Sequence, residues 1–174
     1  MDNGNYLDLK RVIKKFGINK ERLMKIFLKC LHELEYIHSN GIIHRDIKLT
    51  IIIIGNKDQV KFFDFKMVKF FNSEKAKFLE ENNDLKNKLI INNVIIGSDK
   101  IKTPELSNEP NCQIKYNEKI DAYSMGIVFC SFAYQSTSLP EKYENTPYSK
   151  ELYNIIKKML DKEESTRPNS SEIK

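Results

Sequence analysis

The sequence of 174 residues predicts one α+β domain that is mainly α-helical and carries a single small β-hairpin. Three patterns support this fold class. Apolar residues recur every three or four positions in several stretches, which is the period of an amphipathic helix. One short region instead has two β-branched or aromatic runs around a turn-forming sequence, which is typical of a hairpin. Another stretch is apolar on every side, as in a helix at the centre of a domain.

The composition is that of a globular protein with its own core. Hydrophobic residues make up 40% of the chain and charged residues 30%, and the length suits one domain. The net charge of +5 comes from lysines spread along the chain, so we expect a solvated surface and no nucleic-acid binding.

No apolar stretch reaches the roughly 20 residues that span a bilayer, and the N-terminus shows no signal region, so we expect no membrane association. Three cysteines without a CxxC pair favour a reducing compartment, the cytoplasm or the nucleus.

Two helices are predicted in the first 40 residues. A weaker one runs from about Tyr6 to Lys15, and a longer one spans Asn19 to Ser39 with Asn19 as its N-cap. His32 and His38 lie on the longer helix, and we expect both at its surface or boundary. The apolar positions that define the longer helix are Leu23, Ile26, Phe27, Cys30, Leu31, Leu34 and Ile37.

The period changes to that of a β-hairpin after residue 50. Ile51 to Ile54 is a β-branched run that predicts a buried strand, and Gly55 to Asp58 has turn chemistry. Val60 to Phe63 predicts the second strand. Asp64 follows directly, at the end of that strand.

The second half of the chain predicts a loop and two further helices. Residues 72–93 are polar and rich in Lys, Glu and Asn, which is typical of an exposed loop with one weakly helical piece. Tyr116 to Tyr134 becomes almost wholly apolar after Asp121 and predicts a buried central helix. Tyr148 to Leu160 predicts a last amphipathic helix.

Four short motifs, in the order of the chain, resemble those of eukaryotic protein kinases. HRDIK at His44 to Lys48 resembles the catalytic loop HRDxKxxN, and DFK at Asp64 to Lys66 resembles DFG. GSDKIKTPE at Gly97 to Glu105 resembles the end of the activation segment, and DAYSMG at Asp121 to Gly126 resembles the start of the large central helix. A lone HRD would be an incidental surface triplet, but the order and spacing of the four motifs make the combination specific.

The resemblance covers nearly the whole chain but only part of the domain of that family. The small lobe of a kinase supplies a glycine-rich loop and a lysine–glutamate pair, and this sequence contains no GxGxxG. The resemblance therefore implies a kinase-like C-terminal large lobe of the Ser/Thr type without its N-lobe. It would occupy residues 1–174, from the hinge to the start of the last helix. Residues 64–105 would form the activation segment, with a polar insertion at about 72–93.

The resemblance implies roles in phosphoryl transfer for four residues. Asp46 matches the aspartate that accepts or orients the proton of the substrate hydroxyl. Lys48 matches the lysine that steadies the γ-phosphate of ATP, and its spacing from Asp46 is that of Ser/Thr kinases. Asp64 matches the aspartate that binds Mg²⁺. Ile53 takes the position that packs under the adenine of ATP.

Two more residues match contacts of the activation segment. Arg45 matches the arginine that grips a phosphate on this segment, a pairing suited to the two-pronged guanidinium group. Ser98 matches the hydroxyl of the loop that receives the residue after the phosphorylated one. The resemblance thus implies that Arg45 contacts a phosphate group and that Ser98 contacts the substrate.

Five residues match positions that hold the scaffold. Asp121 matches the buried aspartate that binds the backbone of the catalytic loop, and we expect Asp46, by contrast, at an open cleft. His44 and Phe65 match packing residues of an internal hydrophobic stack. Glu105 and Arg167 match an ion pair that ties the end of the activation segment to the later helices.

Two departures from the family pattern bear on activity. Ile51 stands where HRDxKxxN has an asparagine that binds Mg²⁺, and isoleucine offers no oxygen ligand. Lys66 replaces the glycine of DFG and brings a cation beside the expected metal site. Removing one preorganised electrostatic partner typically lowers a rate by ~10²–10³. Together with the missing N-lobe, these departures predict weak or absent binding of ATP and Mg²⁺.

Three hypotheses on function remain open from the sequence. In the first, the chain is a Ser/Thr protein kinase relative that has lost or nearly lost phosphoryl transfer and acts as a pseudokinase-like module that binds a protein. In the second, it is an active kinase, or a fragment of one whose N-lobe lies in a segment missing from this chain. In the third, it is a decayed product without a selected role.

Overall fold

The computed structural model describes residues 6–70, 104 and 117–173. This part of the chain is mainly α-helical with small antiparallel sheets, so the predicted fold class is confirmed. Its helices are α1 (Leu9–Phe16), α2 (Lys20–Ser39), α3 (Lys119–Ala133) and α4 (Lys150–Met159). Its strands are β1 (Leu7–Asp8), β2 (Ile42–Ile43), β3 (Ile52–Ile54), β4 (Val60–Phe62) and β5 (Lys69–Phe70).

Helix α2 begins where the sequence predicts. The side chain of Asn19 accepts a hydrogen bond from the backbone N–H of Arg22 at 2.9 Å and so satisfies one of the free donors of the first turn. The apolar face of the helix is buried and packs on α3, where the ring centroids of Phe27 and Phe129 lie 4.6 Å apart. Contact between the two helices forms the centre of the core.

Helix α3 is the buried central helix. It begins at Lys119, three residues after the predicted start at Tyr116. It is buried almost all round, so its polar side chains need partners inside the protein. The hydroxyls of Ser124 and Ser131 donate to carbonyls one turn earlier on the same helix, which removes the cost of burying them.

Helix α4 packs closely against the middle of α3. The hydroxyl of Ser149 caps α4 by accepting from the N–H of Leu152 at 3.2 Å. Where the two helices meet, α3 has Gly126, and a Cβ atom there would lie 3.0 Å from Cδ2 of Leu160. A side chain at position 126 would therefore force the helices apart.

The predicted hairpin is the centre of a three-stranded sheet, with strand order β1-β3-β4. Strands β3 and β4 pair antiparallel as expected, with Ile52 opposite Phe62. The expectation of a helix from Tyr6 was wrong at its start, because residues 7 and 8 pair with β3. The carboxylate of Asp8 accepts from the N–H of Arg11 at 2.8 Å, so α1 begins after this cap.

A second sheet, of two strands, was not predicted. Strand β2 pairs antiparallel with β5, with Ile42 opposite Phe70 and Ile43 opposite Lys69. Strands of two residues show no periodic pattern in a sequence, so only the folded chain reveals this pairing. It brings the segment before His44 next to the segment that follows Asp64.

Helix α2 also holds the tight turn between β3 and β4. Lys57 and Asp58 have positive φ angles of 57° and 55°, a conformation that costs energy for residues other than glycine. The carboxylate of Asp58 accepts two hydrogen bonds from Arg22, at 2.8 and 3.1 Å. The ammonium of Lys29 donates to the carbonyls of both turn residues. These contacts hold the hairpin in one orientation against the helix.

Several predicted features lie outside the described residues. They include the polar insertion at 72–93 and all but Pro104 of the segment Gly97 to Glu105. Within the described ranges, no helix combines the length and the apolar character that a membrane crossing requires.

The buried thiols allow a test of this core. Cys30 and Cys130 are fully buried, and burial raises the pKa of both thiols, that of Cys130 to about 12. The reactive thiolate is therefore scarce until the pH approaches these values. We expect iodoacetamide at mildly alkaline pH to label the two cysteines only after the protein unfolds, as mass spectrometry of their peptides will show. Rapid labelling of either one in the native protein would contradict the described packing.

Candidate functional site

Asp121, on the first turn of α3, is the buried centre of the site. Its side chain is fully buried. One carboxylate oxygen, Oδ2, accepts from the backbone N–H of His44 at 2.6 Å, and Oδ1 accepts from that of Arg45 at 2.8 Å. The carboxylate thus anchors the start of the HRD loop, which we define as His44 to Lys48.

The backbone of Arg45 is in a strained conformation that these contacts maintain. Its φ angle is 66°, and a left-handed conformation in a residue with a side chain costs about 1–3 kcal/mol. The residue is 7% exposed, and Nε of its side chain donates to the carbonyl of Met67 at 2.5 Å. Arg45 therefore ties the HRD loop to the segment that follows Asp64. The phosphate contact predicted for Arg45 would involve residues outside the described part of the chain.

His38 completes the environment of Asp121, and the expectation that it lies at the surface or boundary was wrong. It is 4% exposed. Its Nε2 lies 3.0 Å from Oδ2 of Asp121, and its Nδ1 lies 2.9 Å from Oγ of Ser170. The tautomer with the proton on Nε2 satisfies both contacts, since Ser170 then donates to Nδ1. The sequence did contain one signal, because His38 follows Leu34 by four residues on the buried face of α2.

His44, the first residue of the HRD loop, is buried beside β4. Its Nε2 lies 3.1 Å from the carbonyl of Phe63, and its Nδ1 accepts from the N–H of Asp46 at 3.4 Å. Its ring centroid lies 6.1 Å from that of Phe62 and 5.0 Å from that of Phe65. Phe65 was expected to be an internal packing residue, yet 38% of it is exposed. Phe65 belongs to a 3₁₀ turn after β4, and its ring is tilted by 51° against that of His44.

Asp46 and Lys48 form an ion pair on the HRD loop. Nζ of Lys48 donates to Oδ2 of Asp46 at 2.5 Å. The side chain of Asp46 is 12% exposed and that of Lys48 is 30% exposed, so Asp46 does not lie at a fully open cleft as expected. A carboxylate in this position has the chemistry of a proton acceptor, and the ammonium beside it has that of a phosphate ligand.

Asp64 follows β4 in a left-handed conformation, with a φ angle of 63°. Its Oδ1 is buried and accepts no hydrogen bond from the described part of the chain. The ammonium of Lys66 lies 3.8 Å from this oxygen, within the range of an ion pair but too far for a hydrogen bond. The side chain of Lys66 is 82% exposed, whereas that of Asp64 is 32% exposed.

The two isoleucines of the site differ in burial. Ile51 is 3% exposed and belongs to the hydrophobic core, while its backbone carbonyl accepts from the N–H of Phe63 at 2.8 Å. Ile53 is half-buried and lies opposite Asp8 on β1 and Lys61 on β4. Because neighbours in a strand point to opposite faces, Ile53 lies on the outer face of the sheet, where the resemblance places the adenine.

The residues present do not fit the two-magnesium arrangement of kinases. That arrangement uses the aspartate of DFG and the asparagine of the catalytic loop, and magnesium requires oxygen donors. Ile51 offers a buried hydrocarbon side chain in place of the second donor. The remaining donor, Asp64, already lies beside the ammonium of Lys66. No group of three His, Cys, Asp or Glu side chains in the described ranges is arranged to hold a metal ion.

Arg167 is buried near the start of α3. It is 1% exposed, its Nη1 donates to the carbonyl of Lys119 at 3.4 Å, and its guanidinium carbon lies 5.4 Å from the ring centroid of Tyr123. Its predicted partner, Glu105, lies outside the described residues, as does Ser98. The predicted ion pair and the role of Ser98 therefore stay predictions.

A mainly helical domain in which a buried aspartate of the central helix anchors an HRD loop beside an Asp-Phe turn is a domain of the protein kinase class. The protein kinase domain family matches residues 1–174, and the chain therefore belongs to this family.

Curated relatives of this chain are protein kinases. It is 26% identical over 144 residues to the dual serine/threonine and tyrosine protein kinase of Xenopus laevis, an alignment that covers 83% of this chain and 13% of that protein. The kinase of the same name from Homo sapiens is 25% identical, with the same coverage. Human eIF-2-alpha kinase GCN2 is 26% identical over 175 residues, which cover 87% of this chain and 10% of that protein. The chain thus spans 10–13% of the length of these relatives, and its assignment to the large lobe alone stays a prediction.

The geometry predicts an order of stability losses for three substitutions. Asp121→Ala removes the acceptor of two amides and His38, and Arg167→Ala empties a fully buried site. We expect each to lower the free energy of unfolding by about 3–5 kcal/mol. Asp46→Ala breaks only a partly exposed pair and should cost less than about 1 kcal/mol. Denaturant unfolding of the three variants measures this order.

Asp46→Ala is the internal control, because it removes a carboxylate from the loop that Asp121 anchors. If Asp46→Ala were the most destabilising of the three, or if Arg167→Ala cost nothing, the proposed division between scaffold and reactive residues would be wrong.

Proposed function

We propose that this chain is a Ser/Thr-type protein kinase domain in which phosphoryl transfer is impaired or lost, and that it acts as a pseudokinase-like module that binds a protein partner. The observation that carries the proposal is the position of the Ile51 side chain. It is 3% exposed and packed in the hydrophobic core, where kinases of this class use an amide oxygen to hold magnesium.

The energetic consequence of this replacement is unfavourable for catalysis and favourable for the fold. Losing one preorganised electrostatic partner costs ~10²–10³ in rate. Burying isoleucine instead stabilises the core by about 1.5–3 kcal/mol. Ile51 therefore supports a domain that keeps its structure while losing part of its reaction. ATP and Mg²⁺, the cofactors of the family, are expected to bind weakly or not at all.

The surface beside the candidate site supports a binding role. Phe63 and Phe65 flank Asp64 and are 64% and 38% exposed. Adjacent exposed aromatic residues are typical of protein–protein contact surfaces. A reducing compartment, the cytoplasm or the nucleus, is part of this proposal and suits the two buried thiols, Cys30 and Cys130.

One observation favours a second candidate function, an active kinase or a fragment of one whose N-lobe lies outside this chain. Asp46 and Lys48 form a 2.5 Å pair on an anchored loop, and Asp64 follows β4 as in the family pattern. These are the groups expected to accept the substrate proton and to bind phosphate. The spacing of Lys48 from Asp46 supports Ser or Thr as the substrate hydroxyl in that case.

A phosphoryl-transfer assay separates the two candidates. Labelled ATP with Mg²⁺ is incubated with the chain and a library of Ser/Thr peptides, and Asp46→Asn is the matched control. Because one metal donor is lost, we expect no transfer above the level of Asp46→Asn. Transfer that Asp46→Asn abolishes would support the active kinase and contradict the proposal.

The exposed aromatic pair predicts self-association in the absence of a partner. We expect the purified chain to be poorly soluble or to associate, as measured by light scattering. Phe63→Ser with Phe65→Ser should reduce association, because it removes the apolar surface. Phe16→Ser, at a site 59% exposed at the end of α1, is the matched control and should have little effect. A monodisperse wild-type monomer at high concentration would contradict this prediction.

A further inference from the structure

We propose that one side of helix α1 is a docking surface for an acidic segment of a protein partner. We define this basic face of α1 as Lys10, Arg11, Lys14 and Lys15, four cations on an eight-residue helix. The inference rests on the proposed function in one respect, the binding of a protein. It adds the surface that receives the partner and the chemistry that the partner presents.

The first support is the placement of the four charges on one side of the helix. Lys10 is four residues from Lys14, and Arg11 is four residues from Lys15, so the members of each pair are neighbours on the helix surface. All four residues are exposed, whereas the buried residues of α1 are apolar. The helix therefore presents a continuous cationic surface opposite the side that packs in the core.

The second support is that these charges do not help the helix to form. Like charges four residues apart destabilise a helix. The first turn of α1 contains no acidic residue, although the N-terminus of a helix favours negative charge. Within the described ranges, the only ion pair of this face joins Arg11 to Asp8 at 3.0 Å, and the arginine side chain is 77% exposed, so the pair contributes little. An acidic partner would remove the repulsion that the fold leaves uncompensated.

The third support is an aromatic residue at the end of the same helix. Phe16 is 59% exposed, and Nζ of Lys15 lies 5.2 Å from its ring centroid. Aromatic and cationic side chains that lie side by side are typical of contact surfaces between proteins. Two copies of the basic face would repel each other, so this surface suits a partner of opposite charge rather than a second copy of the chain.

The packing of α1 favours an acidic protein segment over an anionic membrane. A helix that binds in the plane of a membrane directs its apolar side into the lipid, but Leu9 and Val12 of α1 belong to the hydrophobic core. Phe16 alone in this helix exposes a large apolar side chain.

The length of α1 defines the size of the matching segment. A helix of eight residues is about 12 Å long, and an extended chain covers this distance with about four residues. The structure thus points to a run of about four Asp or Glu residues, followed by an apolar residue that contacts Phe16.

Fluorescence anisotropy of the full chain with labelled peptides tests this charge requirement. The probe has four glutamates followed by a phenylalanine, and the control peptide has glutamines in place of the glutamates. We expect the full chain to bind the glutamate peptide at least tenfold more tightly than the glutamine peptide. Raising the salt concentration should reduce this difference, because exposed charges are screened.

Variants of the basic face test its position. Lys10→Gln with Lys14→Gln should weaken binding of the glutamate peptide about fivefold, as expected for two exposed ion pairs. Lys150→Gln with Lys158→Gln, which removes the same charge from exposed positions of α4, is the matched control and should bind as the wild type does. Because the α1 substitutions remove a repulsion, their midpoint of denaturant unfolding should not fall, and weaker binding would not reflect unfolding.

A charge reversal gives a second readout. Lys10→Glu with Lys14→Glu should lose the glutamate peptide and gain binding to a peptide of four lysines and a phenylalanine. A purely structural role of these lysines would not produce this exchange of ligands.

Three results would overturn the inference. They are equal affinities for the glutamate and glutamine peptides, equal effects of the α1 and α4 substitutions, and binding of phosphatidylserine vesicles or of a DNA oligonucleotide in place of the glutamate peptide. Each leaves the proposed function intact if the chain transfers no phosphate. Transfer to Ser/Thr peptides that Asp46→Asn abolishes would instead overturn the proposed function, so the two failures are distinguishable.

Discussion

The carboxylate of Asp121 is the group on which the candidate site depends most. It lies fully inside the protein and accepts from the amides of His44 and Arg45, with the imidazole of His38 as its third neighbour. A buried carboxylate is tolerated only when such partners replace water. Because two of the donors are consecutive backbone amides, the carboxylate fixes the path of the HRD loop against α3. This loop then determines where Asp46 lies.

The rest of the site follows from that path. The left-handed backbone of Arg45 turns the chain so that its guanidinium reaches the carbonyl of Met67. The pairing of β2 with β5 adds a second link between the segments before His44 and after Asp64. Short-range contacts in one place thus hold together two motifs that are 20 residues apart in the sequence.

The scaffold and the metal site are physically separable in this chain. No hydrogen bond described for the HRD loop uses the side chain of Ile51 or Lys66. Ile51 adds apolar contact to the core, and Lys66 adds a charge at an exposed position. The hydrogen bonds that hold the HRD loop are therefore independent of these two side chains.

The sequence by itself determined the helices α2, α3 and α4, the hairpin and the motifs, because periodicity, caps such as Asn19 and turn chemistry are local properties. It also predicted that Asp121 would bind the backbone of the HRD loop.

Only the tertiary structure decided the burial of His38, since its partners lie 83 and 132 residues further along the chain. The same holds for β1, β2 and β5, because strands of two residues are formed by their partners rather than by their own pattern. The exposure of Phe65 and the pairing of Asp46 with Lys48 depend on side-chain placement around a fixed backbone, which no local pattern of residues encodes.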